Sequence, residues 1–260
     1  NGVSFFHQQI TEYFAAFHFS TLYNNNPIIL EDIILYKKWD FVLGLASTFF
    51  EKEKEEEYFS KLLERDILFA IECTSYMISD NKHIAIKKIL EKILKDIDQF
   101  EFEFIIRIKQ ALNHINFNIE HEELLRKLKG YKNIIGGAAV IGLVKAFDGN
   151  KHIKDEIMNE LFQEDIGDYN YIASLGRSLS GYITIDEFQN LIEKVGELET
   201  SENEESILSC IGAMADSLEL DDVISVFKTL NSLNNMQRSI LAETLMERNE
   251  EMCLELCFQL

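Results

Sequence analysis

Hydrophobic positions recur at helical spacing along most of the chain. Phe6, Ile10, Tyr13 with Phe14, and Phe17 mark one apolar face, which predicts a helix from Ser4 to Tyr23 with Ser4 as its N-cap. Asn24-Asn25-Asn26-Pro27 ends it, because Asn tolerates the left-handed C-terminal conformation and Pro27 cannot continue a helix. A second helical pattern starts near Ile28 and carries Trp39, Val42, Leu43, Leu45, Ala46, Phe49 and Phe50. On pattern alone these are two aromatic-rich core helices packed on each other. The charge run EKEKEEE, from Glu51 to Glu57, reads as an exposed helix start or a connection.

Short amphipathic segments follow at about 58–78, 82–98, 101–115, 120–129 and 131–147. Others lie at about 151–163, 168–179, 185–198, 203–217, 220–231, 235–247 and 249–259. The joins are short, so antiparallel helical hairpins are expected. A period is visible in the glycines. Gly142 sits in VIGLVKAF, Gly176 in ASLGRSLS and Gly212 in SCIGAMADS, at steps of 34 and 36 residues. A further period reaches Leu245 in ILAETLMER, without a glycine. Glycine inside a helix costs about 1 kcal/mol relative to alanine and is tolerated where neighbouring helices approach closely. This period suits stacked helix pairs, and the missing TPR aromatic and proline signature favours HEAT-like ones. The competing reading is a non-repetitive bundle with coincidental spacing.

Composition narrows the class. One proline and 12 glycines in 260 residues are too few for an all-β sandwich or barrel, which needs many tight turns. The chain is expected to be all-α, an α-solenoid of antiparallel helix pairs. No apolar run reaches the roughly 18 residues that span a bilayer. No secretory signal opens the chain, so a cytoplasmic protein without membrane contact is expected. The start at Asn1 and the apolar ending Cys257-Phe258-Gln259-Leu260 suggest a piece of a longer protein. Cys73, Cys210, Cys253 and Cys257 form no CxxC pair and read as free buried thiols in a reducing compartment.

Charge is uneven. The 45 acidic and 25 basic side chains give −20 overall, with −4 over residues 1–150 and −16 over 151–260. The acidic half repels a phosphate backbone, so no nucleic-acid partner is expected, and a partner should carry a basic or mixed surface. Lys82, Lys87, Lys88, Lys92 and Lys95 form the nearest thing to a basic patch, read as a solvated helix face because Glu91, Asp96 and Asp98 interrupt or flank it.

The segment Phe6-His7-Gln8-Gln9-Ile10-Thr11-Glu12-Tyr13-Phe14-Ala15-Ala16 resembles a helix of NACHT-type STAND NTPases, F-x-H-x-x-F-x-E-Y-F-A-A. In that family it follows the nucleotide-binding and winged-helix domains. Trp39, followed by Leu43-Gly44-Leu45-Ala46, looks like the family's next helix. Ile10 replaces the usual Phe and Thr11 the usual Gln. The resemblance covers about the first 50 residues. It implies a helical adaptor over 1–50, with Phe6, His7, Glu12, Tyr13, Phe14, Ala15, Ala16 and Trp39 packing between domains, ahead of a HEAT-like repeat region over 51–260. It also implies ATP and Mg²⁺ in the parent protein, none of it held here, and oligomerisation through that parent. His7 senses a nucleotide state or satisfies a backbone carbonyl; Glu12 pairs with a basic group on the other domain or stays solvated. Gly142, Gly176 and Gly212 are assigned to repeat packing.

There is no GxxxxGK[ST], GxSxG or HExxH; His121-Glu122-Glu123-Leu124-Leu125 lacks the second His. The six histidines are scattered. Gly181 to Glu187 imitates half an EF-hand loop, but Gly176, Ser178 and Ser180 stand where calcium needs acidic oxygens. A turn at Gly181 with a Thr184–Glu187 capping box explains it better. Asp221-Asp222 and Glu204-Glu205 read as carboxylates at helix starts. The expected function is therefore recognition of a protein or small ligand on the repeat surface, as the sensor region of a STAND NTPase, with no catalytic, cofactor or metal residues. A freestanding HEAT-like scaffold and a helical enzyme using scattered carboxylates are the alternatives.

Overall fold

The computed structural model describes residues 2–77, 79–163, 165–196, 204–229 and 233–246. Among these, every regular element is a helix. The chain divides into two compact units, 1–124 and 125–260.

The first unit holds α1 (Gly2–Asn25), α2 (Ile29–Ile33), α3 (Asp40–Ala46), α4 (Lys52–Arg65), α5 (Ile67–Cys73), α6 (Ser79–Asp96) and α7 (Phe102–Leu112). The predicted helix from Ile28 is broken. Tyr36 is extended, a 3₁₀ turn covers Lys37–Trp39, and α3 starts afresh. That break lets Val42, Leu43 and Ala46 turn inward while Leu35 and Tyr36 stay exposed. The predicted 58–78 helix is broken too. Asp66 is extended and its carboxylate accepts a hydrogen bond from the Phe69 N–H at 3.0 Å, an N-cap that opens α5. Apolar periodicity runs through the break and hides it. The charge run at 51–57 forms the first turns of α4.

This unit is organised around Tyr58 of α4. Its side chain is fully buried, and its hydroxyl donates to the Leu43 carbonyl at 2.9 Å. Its ring lies 5.0 Å from Tyr23, 4.8 Å from Phe50 and 6.2 Å from Phe19. One side chain thus ties α4 to α1 and α3. The unit containing the 1–50 segment therefore extends to residue 124. At its far end His121 is buried; its Nδ1 accepts from the Asn118 N–H and its Nε2 faces the His83 carbonyl at 3.1 Å. Burial holds this imidazole below the usual histidine range.

Glu55 and Asn81 form a buried polar pair between α4 and α6. Asn81 Nδ2 donates to Glu55 Oε2 at 2.5 Å and to the Lys52 carbonyl at 3.2 Å. Glu55 Oε1 and Asn81 Oδ1 are buried with no donor among the described residues. Burial raises the Glu55 carboxyl above its ordinary value, against the lowering effect of Asn81.

The second unit contains the end of α8 (Glu122–Lys129), then α9 (Ile134–Ala146), α10 (Lys151–Glu160), α11 (Tyr169–Leu179) and α12 (Ile185–Gly196), followed by α13 (Glu204–Met214), α14 (Leu220–Thr229) and α15 (Asn235–Met246). Local caps set the starts. Asn133, Asn150 and Asp168 accept from backbone N–H groups of the first turns of α9, α10 and α11. Thr184 and Glu187 exchange bonds in a capping box after Gly181, whose φ of 87° is left-handed. Lys154 also pairs with Glu187 at 2.8 Å. The EF-hand imitation is thus a helix start.

Alternate helices form one layer: α11 packs on α9 and α13, and α13 on α15. Small residues set the approach. A Cβ on Gly176 would meet the Cys210 carbonyl oxygen at 2.5 Å, and one on Gly137 would meet Ser174 Cβ at 2.7 Å. Gly142 and Gly212 are buried. A polar network joins α8, α10 and α11. Arg126 binds Glu156 at 2.6 Å, Lys129 binds Glu156 at 3.0 Å and Glu160 at 2.5 Å, and the buried Tyr171 hydroxyl donates to Glu160 at 2.7 Å. The segment expected at 249–259, with Cys253 and Cys257, lies outside the described residues; Cys73 and Cys210 are buried free thiols.

Glu55 gives a pH-dependent expectation. The native state holds its proton where the unfolded chain has lost it, so this group's stabilisation is full at low pH and fades as pH rises through its folded pKa. An amide at position 55 offers Asn81 Oδ1 a donor without a titration. Glu55→Gln should raise stability at neutral pH by about 1–3 kcal/mol, with a smaller gain near pH 5, in urea melts of both proteins. An equal or lower stability at neutral pH contradicts this pairing.

Candidate functional site

The site is built from α1, α3 and the 3₁₀ turn before α3. Along α1 the buried positions are Ala16, Phe19, Ser20 and Tyr23, which recur every three or four residues and meet Tyr58 and α3. Ile10, Tyr13, Phe14 and Phe17 lie about a third of a turn away. They are 50, 50, 62 and 53% exposed. The face that the sequence pattern marks as core is therefore the outer face, and this corrects the expectation of two mutually buried helices. Phe49 comes to it, with its ring 5.1 Å from Tyr13 and 5.6 Å from Phe17. The physical reason is crowding: α1 carries large apolar side chains over more of its circumference than one helical neighbour can cover.

A third side of α1 opens into an apolar slot of about 170 Å³. Ala15, His18 and Leu22 of α1 face Ile33, Trp39 and Val42 there. Trp39 is 36% exposed, with Lys38 Nζ 5.7 Å from its ring centre. Leu35 (80% exposed), Tyr36 and Phe41 of the same stretch are exposed as well. Most of the exposed large hydrophobic side chains in the described residues fall between residues 10 and 41. Scattered surface apolar residues are ordinary, but a contiguous set of aromatics marks an interaction surface.

The motif residues distribute as follows. Tyr13 and Phe14 form the outer face, their rings 5.7 Å apart. Ala15 lines the slot and Ala16 is fully buried. Glu12 accepts from Gln8 Nε2 at 3.0 Å on the same helix. Trp39 flanks the slot across from Ala15. The side chains of Phe6 and His7 lie outside the described ones. Gly142, Gly176 and Gly212 belong to the second unit's packing. Phe17, Leu22 and Phe41 lie outside the motif and Ile10 departs from it, yet all four are exposed on this surface. Their signal is the density of Ile, Leu, Phe and Tyr around α1, rather than any motif.

The basic patch on α6 divides. Lys88 binds Glu56 at 2.6 Å and Lys92 binds Asp96 at 2.7 Å. Lys82 faces a groove toward α7. Burial pushes the Cys73 and Cys210 thiols well up, which disfavours the reactive thiolate. Among the described residues no group of His, Cys, Asp or Glu could hold a metal ion, and no helix is long and apolar enough to cross a membrane.

Compared with protein-family models, curated proteins and solved structures, the chain matches none.

The two sides of α1 should separate on mutation. Phe14→Ser should leave stability within about 0.5 kcal/mol, because its ring already faces water. Phe19→Ala should cost about 3–5 kcal/mol, because it empties the space beside Tyr58. Thermal melts of the two variants check this; equal losses contradict the assignment of faces.

Proposed function

We propose that this chain is a non-catalytic sensor and protein-interaction region of a NACHT-type STAND signalling NTPase. Residues 1–50 act as the adaptor toward the NTPase module, and 51–260 as a HEAT-like helical repeat region that recognises a protein or small ligand. The observation that carries the reading is the uncovered aromatic face of α1, because its exposed Tyr13 and Phe14 are the family motif's own residues. A helix face of Ile10, Tyr13, Phe14 and Phe17 gains from being covered: each ring buried contributes about 1.5–3 kcal/mol. The stacked α9–α11–α13–α15 layer supports the repeat reading. The parent protein supplies ATP and Mg²⁺ chemistry and the route to oligomerisation, in the cytoplasm. The strongly acidic second half suits a partner with a basic or mixed surface.

The same stacked layer favours the second reading, a freestanding HEAT-like scaffold whose partner sits on the repeats. An upstream P-loop separates the two. Sequencing the native reading frame before Asn1 should reveal GxxxxGK[ST] after a strand pattern. In that intact protein, Phe14→Ser should change basal ATP hydrolysis several-fold while leaving helicity by circular dichroism unchanged. A frame without a P-loop, or hydrolysis indifferent to Phe14, rejects the NTPase reading.

A further inference from the structure

We propose that the groove between α5, α6 and α7 binds a phosphate monoester with an apolar or aromatic body. The inference concerns a different surface from α1 and stands whether or not an NTPase domain precedes the chain.

The groove has a volume of about 550 Å³, within the size range of small-molecule sites. Two kinds of surface meet in it. Leu68 and Ile71 of α5, with Ala111 and Ile115 at the end of α7, form an apolar floor. Above the floor stand Lys82 of α6 and the stripe Arg107–Gln110–His114 of α7 and its end. The spacing of that stripe follows the helical repeat, so its three side chains share one face while Ile108 and Leu112 turn into the core. The Tyr76 ring also lines the groove and makes an edge contact with Phe41 at 5.9 Å.

Charge makes the groove unusual. The chain has 45 acidic and 25 basic side chains, so a lysine or arginine has nearly two carboxylates to choose from. Lys88, Lys92, Arg126 and Lys154 each take one, and Lys129 takes two. Lys82, Arg107 and His114 take none among the described residues, yet they converge on one cavity with a single acid, Glu72, on its wall. Two permanent cations against one carboxylate leave a net positive charge on the groove, and the His114 imidazole adds a hydrogen-bonding group beside them. Arg107 contributes the planar fork that matches phosphate oxygens, and Lys82 a point charge from the facing helix. The Tyr76 hydroxyl and the Gln110 amide are further donors without a partner among the described residues. Five polar groups from three segments around an apolar floor fit an ester whose phosphate meets the cations and whose body lies on Leu68, Ile71 and Ile115.

The test is calorimetric titration of the whole chain with naphthyl phosphate at low salt, with naphthol and inorganic phosphate as the two partial ligands. Naphthyl phosphate should bind at least tenfold more tightly than either. Arg107→Gln should weaken it about tenfold or more, the loss expected for one charge-assisted contact. Arg107→Lys should fall between, and Lys82→Gln, on the other wall, should weaken binding several-fold. Lys194→Gln, a cation of the second unit, should change nothing. Arg107 is exposed, so helicity by circular dichroism should be unchanged in its variants. No binding heat up to roughly 5 mM ester, weaker than any useful small-ligand affinity, overturns the proposal. So does naphthol or inorganic phosphate binding as tightly as the ester, or ester affinity indifferent to Arg107 and Lys82.

Discussion

Tyr58 sets the arrangement on which the first unit depends. Its ring is enclosed by Phe19 and Tyr23 from α1 and by Phe50, and its hydroxyl is anchored on the Leu43 carbonyl. Aromatic pairs at these distances contribute about 0.5–1.5 kcal/mol each beyond their buried area. The hydroxyl bond also fixes the direction of the ring, which area alone would not. Once Tyr58 holds Phe19 and Tyr23, the rotation of α1 about its own axis is decided. Tyr13, Phe14 and Phe17 must then face outward. The exposed aromatic surface is a consequence of the buried one.

The second unit solves the packing problem with small residues rather than rings. Gly137 meets Ser174, and Gly176 meets the Cys210 backbone. Backbones that approach this closely bury their flanking Val140, Ile172, Leu175, Leu208 and Ile211. The polar chain from Arg126 through Glu156, Lys129 and Glu160 to Tyr171 adds direction, since each member bonds only in one registration of α8, α10 and α11. An acidic unit gains doubly from spending its few cations on carboxylates that would otherwise repel.

The helices were largely legible in the sequence because the apolar period is regular and the caps are chemically plain: Asn133, Asn150, Asp168 and Thr184 all stand where a helix begins. Two kinds of feature were not. The break at Asp66 was hidden because Leu63, Ile67 and Ala70 keep the period across it, and only the cap bond reveals it. The facing of α1 was hidden because Ile10, Tyr13, Phe14 and Phe17 are as apolar as Phe19 and Tyr23, so pattern cannot say which set is buried. Gly176 was legible from its period, while Gly137 was not, since its meaning depends on Ser174, 37 positions later. The cationic groove joins Lys82 to Arg107 and His114 from another helix, a meeting that no local motif records. The motif residues Tyr13 and Phe14 were found; the surface they belong to, with Ile10, Phe17, Leu35 and Phe41, required the fold.

In the proposed function, α1 offers its outer face to another part of a larger protein. Covalent surface labelling at Tyr13, read by mass spectrometry, tests this most directly when the 260-residue chain is compared with the longest native protein that contains it. The account predicts strong labelling of Tyr13 in the 260-residue chain and protection in the longer protein, with the exposed Tyr169 labelled alike in both. Equal labelling of Tyr13 in the two proteins would show that nothing covers this face, and would contradict the adaptor assignment.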